Sequence, residues 1–177
     1  MSQQHIDLWK QAADAFDKSY QAIGDAGWAS ATPCQGWAVK ELVDHAVGTQ
    51  GGMLGGVIGA EVPEGADWPT TRAAMDAALQ VEGVLEGTTE FGPMGQVPKS
   101  MVLGVGTSDL LIHAWDVARA VGADETLPAE AVTATYMGLQ KFPEQAMRGE
   151  GMFGAAIECA ADADEQTKML SFAGRQV

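Results

Sequence analysis

The chain has 177 residues, 46% of them hydrophobic, with 22 glycines, few aromatics and a formal net charge of -14. That length and apolar share support a packed core and exclude a disordered polymer. The acidic balance argues against nucleic acid and anionic membrane as partners, because both are repelled by such a surface.

The opening MSQQHIDLWK lacks a basic start and an apolar run, so no signal peptide is expected. The expected compartment is the reducing cytoplasm. Ile6, Trp9, Ala13, Phe16, Tyr20 and Ile23 recur at spacings of three and four, which predicts a helix over 3–24. Gly24 and Gly27 end it. A loop follows over 28–36, with Pro33 and Gly36 as punctuation.

A second helix is predicted over 37–59. Its glycines fall in two rows, Gly48, Gly52, Gly56 and Gly51, Gly55, Gly59. Each glycine weakens an isolated helix by about 1 kcal/mol relative to alanine. The rows predict close helix contact in a buried core, or fraying past residue 50. The uncharged run 46–60 is shorter than the roughly 20 residues that span a bilayer.

A third helix is predicted over 68–87, with Pro69 in its first turn. Residues 87–99 read as a turn-rich connection. A fourth helix is predicted over 100–121, stopped by Gly122, and a fifth over 128–148. Pro143 predicts a kink or early end in the fifth. The tail 149–177 is expected to hold one short helix over 164–173. A single domain over 1–177 is expected.

Three histidines are present. His5 lies near the terminus and is expected to be solvated. His45 and His113 lie inside apolar helices. Asp109 and His113 are four apart and share a helix face, with Asp116 three further on. A carboxylate and an imidazole at that spacing can hold one cation together, and His45 is the histidine available as third ligand. Such a set leaves open positions and suits zinc, nickel, iron or manganese. The alternative is a core histidine hydrogen-bonded to a nearby aspartate. Periodicity leaves open whether Asp109 or Asp116 is the ligand, the other then orienting an imidazole.

Cys34 and Cys159 make no disulfide framework. Cys34 sits just before the second helix, where a thiol can be activated, but a structural thiol is the expectation.

Thr32-Pro-Cys-Gln-Gly-Trp37, continued by Val39-Lys-Glu-Leu-Val-Asp-His45, resembles a block of the mycothiol-dependent maleylpyruvate isomerase N-terminal family. Asp109-Leu-Leu-Ile-His-Ala-Trp-Asp-Val117 resembles that family's second metal block. Leu170-Ser-Phe-Ala-Gly-Arg175 is similar to the ending of its stand-alone, poorly characterised members. The resemblance implies an all-α, DinB-like up-and-down four-helix bundle with an extra C-terminal helical segment. It implies a divalent metal, zinc foremost, on His45, Asp109 and His113. The acidic ligand of the characterised isomerase is a glutamate, where this chain has the shorter aspartate. That isomerase also has a separate C-terminal domain with an active-site arginine, which is not expected here.

The resemblance further implies a thiol-dependent transferase or isomerase using a low-molecular-weight thiol, with a non-catalytic metal-binding or stress-related protein as the alternative. Trp37, Asp44, Trp115 and Asp116 are the candidates to line the thiol pocket or support the ligands. A homodimer is expected through the glycine-rich second helix.

Overall fold

The computed structural model describes residues 2–142, 148 and 153–177. Helix α1 spans Ser2–Gln21 and buries the expected stripe of Ile6, Trp9, Ala13 and Phe16. The second helix has three parts: α2 over Val39–Val47, a π-helical segment over Gly48–Leu54, and α3 over Gly55–Ile58. Helix α4 spans Trp68–Leu79, α5 Lys99–Val121, α6 Ala129–Leu139 and α7 Glu165–Phe172. The fold is all-α and of the DinB-like kind. No helix among the described residues is long and apolar enough to cross a membrane.

The most extensive pairing is α1 against α5. Ser19 Oγ ties the two by donating to the Ala114 carbonyl at 2.8 Å. Gln50, fully buried in the π segment, accepts from Trp9 Nε1 at 2.9 Å and donates to the Gly106 carbonyl at 3.0 Å. One amide thus satisfies buried groups on α1 and α5 together, which is what lets it sit in the core. The core runs from Ile6 to Ala173, so α7 packs into the same apolar cluster as α1.

Glycine explains the break in the second helix. Its first half, Val39–Val47, is regular; the glycine-rich half widens into the π-helical turn. Gly51 and Gly55 face neighbours, whereas Gly48, Gly52 and Gly56 are exposed. Gly106 on α5 lies so near Leu54 that an added Cβ would fall 2.1 Å from its Cδ1.

Several expectations are corrected. The third helix ends at Leu79, not 87. The connection after it contains an antiparallel hairpin, β1 over Thr88–Glu90 and β2 over Gln96–Pro98. Strands of three residues are too short for an alternation pattern to register. The fifth helix stops at Leu139; its expected continuation over 143–147 and the Pro143 kink lie outside the described residues. His5 is half-buried on α1, not fully solvated.

Candidate metal centre

The loop before α2 is a clamp. Thr32 N–H donates to the Trp37 carbonyl at 3.0 Å, and Thr32 Oγ1 donates to the same carbonyl at 2.9 Å. Cys34 N–H donates to Thr32 Oγ1 at 3.2 Å. Gly36 closes the turn at φ 84°, a region costly to residues with a Cβ. Threonine, cysteine, glycine and tryptophan are therefore spaced so that one turn delivers Cys34 and Trp37 to the mouth of the bundle. Glu41 holds the start of α2 by accepting from Ala38 N–H at 3.0 Å.

From α2, His45 reaches across to α5. Its Nε2 lies 3.2 Å from Asp109 Oδ1, and His113 Nε2 lies 3.4 Å from the same oxygen. The ligand atoms of His45, Asp109 and His113 all fall within 4.8 Å of one another. The Trp37 ring centroid sits 4.9 Å from that of His45 and 6.3 Å from that of His113.

A second group adjoins the first through the other face of His113. Its Nδ1 lies 3.0 Å from Asp116 Oδ2 and 3.9 Å from Cys34 Sγ. Arg175 grips Asp116 with two bonds, Nε to Oδ1 at 3.1 Å and Nη2 to Oδ2 at 2.8 Å. Arg175 Nη2 also donates to Cys34 Sγ at 3.1 Å.

Cys34, His113 and Asp116 are also spaced to hold a cation. The two groups differ in what already neutralises them. Asp116 is fully buried with both oxygens bonded, so Arg175 fills the place of a cation there. Among the described residues Asp109 has no such partner, and its Oδ2 is buried without a hydrogen bond. A buried carboxylate oxygen left unpaired is costly unless something positive joins it.

The donor set of the first group fits a divalent ion. Zinc bonds of about 2.0–2.1 Å put tetrahedral ligand atoms roughly 3.3–3.4 Å apart. The two separations from Asp109 Oδ1, 3.2 and 3.4 Å, are of that size.

Electrostatics points the same way. Burial pushes the Asp109 carboxyl up, but His113 and His45 outweigh it and hold the group well below the usual carboxylate range. Burial pushes His113 down, yet Asp109, Asp116 and Cys34 together raise it well above its ordinary value. Burial also opposes ionisation of Asp116, and His113 and Arg175 overcome it. These directions favour the ionised form of both carboxylates and the protonated form of His113 beside the Arg175 guanidinium. The extra proton on His113 and a divalent ion compete for one lone pair.

Of the sequence candidates, His45, Asp109 and His113 are brought together, with Trp37 beside them and Asp116 behind. Two others are corrected. Asp44 lies on the solvent face of α2, where it pairs with Lys40 at 2.6 Å. Trp115 is fully enclosed in the core, its ring 4.6 Å from the Arg119 guanidinium carbon. Residues two apart on a helix face different sides, which is why Trp115 turns away from His113.

Two residues at the site were not singled out for it. Cys34, expected to be structural, is half-buried against His113 and Asp116. Arg175 is 8% exposed, a burial unusual for an arginine without a paired carboxylate. The Gly-Arg ending was the available signal: Gly174, at φ 80°, turns the chain after α7 so that Arg175 points inward.

Residues 9–82 match the family model described as the mycothiol maleylpyruvate isomerase N-terminal domain. That stretch includes Cys34, Trp37 and His45, while Asp109 and His113 lie beyond it. Two uncharacterised proteins of Mycobacterium tuberculosis, from strains CDC 1551 and H37Rv, are each 27% identical over 176 residues. The alignment covers 95% of this chain and 96% of each relative. No solved structure matches the chain.

Proposed function

With residues 9–82 belonging to the mycothiol maleylpyruvate isomerase N-terminal domain family, we propose that this protein binds a divalent metal through His45, Asp109 and His113 and uses it in a thiol-dependent transfer or isomerisation. The observation that carries the reading is Asp109. Its carboxylate lies between two imidazoles and retains a buried oxygen with no hydrogen-bond partner among the described residues. Zinc is the foremost candidate, with nickel, manganese and iron as alternatives.

A bound divalent ion would supply Lewis acidity, keeping a coordinated thiol in its thiolate form. The chain's residues supply the rest. Trp37 covers one side of the two imidazoles and limits water there. The net charge of -14 disfavours a strongly anionic thiol. A sugar-linked thiol of the mycothiol kind is therefore expected to bind better than glutathione. The same reading takes the chain to pair as a homodimer, with the exposed row of Gly48, Gly52 and Gly56 as a close-approach face.

One observation favours a second reading, a metal-binding protein without turnover. Asp116, the carboxylate next to the trio, has both oxygens bonded by Arg175 and is not free to act as a general base. Cobalt substitution distinguishes the two. Titrating the cobalt protein with mycothiol, and separately with glutathione, should produce an intense near-ultraviolet sulfur-to-metal band, at lower concentration with mycothiol. No band with either thiol, with cobalt shown to be bound, would remove the thiol-dependent reading and leave the second.

A further inference from the structure

Arg175 stands outside the metal trio, yet it is joined to it by an unbroken chain of polar contacts. Its position is built by the turn after α7. Arg175 N–H donates to the Leu170 carbonyl at 2.8 Å, closing the helix end, and Gly174 takes the left-handed conformation that the turn requires. A Cβ at Gly174 would also meet the Ala155 carbonyl at 3.0 Å. Arg175 Nη1 is tied to the Ala173 carbonyl at 2.9 Å, which orients the fork.

The fork then acts on Asp116 and, through it, on His113. Two parallel bonds define the plane of the Asp116 carboxylate, which a single point charge would not do. Asp116 Oδ2 in turn receives His113 Nδ1–H at 3.0 Å. Holding a proton on Nδ1 means that the neutral, metal-competent ring carries its lone pair on Nε2, the nitrogen facing Asp109. Partners of this kind orient metal-binding histidines, and their loss costs about 10–100-fold in metal affinity.

We infer that Arg175 is a positioning residue of the metal site, locking His113 through Asp116 and thereby coupling the seating of the segment after α7 to metal affinity. The inference rests on the metal reading proposed above.

The test compares wild type, Arg175→Gln and Arg175→Lys by zinc competition against a chromophoric chelator, with circular dichroism as the control for folding. The glutamine variant should bind zinc about 10–100-fold more weakly. The lysine variant should recover part of the loss, since it keeps the charge without the fork. A second readout needs no metal. Proton NMR of the metal-free protein should show a downfield His113 Nδ1–H resonance in wild type and in the lysine variant, and none in the glutamine variant.

Glutamine-variant affinity within twofold of wild type, with the resonance unchanged, would overturn the inference and leave the metal reading standing. Should the glutamine variant fail to fold, the lysine variant decides: weaker binding supports the inference, and unaltered binding overturns it. Wild-type protein that binds none of zinc, nickel, manganese and iron would refute the metal reading, and the imidazole resonance would still decide whether Arg175 positions His113.

Discussion

Asp109 Oδ1 on α5 lies 3.2 Å from His45 Nε2 on α2, a contact between residues 64 positions apart. It joins α2 to α5 beside the loop that brings Cys34 and Trp37. Asp109 Oδ2 is buried with no hydrogen-bond partner among the described residues, which is the ground for proposing the cation at the trio and not at the neighbouring Cys34, His113 and Asp116.

Removing ligands should cost the site more than the fold. His45→Ala and His113→Ala are each expected to lose bound metal while keeping the wild-type helical circular dichroism. The core extends through all the helices, so the chain does not need an ion to fold as a zinc finger does. An unfolded His45→Ala protein, whose histidine side chain is 34% exposed, would mark the metal as structural.

The metal-free protein should lose stability as pH rises past neutrality. His113 is raised on folding, so its contribution is complete below the unfolded histidine value of about 6.5 and is lost as pH climbs through the folded value. Asp109 is lowered, so its contribution is present above about 4 and is lost only in acid. Thermal melts in chelator should therefore be most stable between about pH 4 and 6.5. Metal binding requires the unprotonated imidazole, so the gain in Tm from zinc should grow between pH 6 and 8. A gain that shrinks over that interval would contradict the assignment of His113 as ligand.

How much of this was legible in the sequence differs by residue. The α1 stripe and the long α5 follow from periodicity, because their apolar residues repeat at three and four. An aspartate sharing a helix face with His113 could be read from spacing, and His45 from being the remaining histidine in an apolar helix. Spacing could not choose between Asp109 and Asp116, since both share a face with His113. The proposal favours Asp109 because Arg175, 59 positions away from Asp116, already bonds Asp116 in the folded chain. Asp44 was misplaced for a related reason: one step along the helix from His45 turns it about 100° away, into solvent. The glycines of the second helix predicted close contact or fraying past residue 50, whereas the chain widens there into a π-helical turn and stays helical to Ile58.

Packing gives a prediction independent of metal. Gly106→Ala should destabilise the protein by about 1–3 kcal/mol, because the new methyl overlaps the fully buried Leu54 side chain. Helix propensity favours alanine by about 1 kcal/mol, so a stabilised variant in urea denaturation would show that Leu54 moves aside freely.

Trp37→Ala should leave metal content unchanged and weaken thiol binding, since the ring flanks His45 at 4.9 Å without supplying a ligand. Paired metal analysis and cobalt-thiol titration of the variant check this. Loss of metal would instead assign Trp37 to holding the loop and the histidines in place.

Elemental analysis tests most directly whether the trio holds a divalent ion. Protein purified without chelator or metal-affinity resin should carry close to one divalent metal per chain. Asp109→Ala protein prepared alongside should carry almost none. Wild-type occupancy near zero that added zinc, nickel, manganese or iron does not restore would contradict the account.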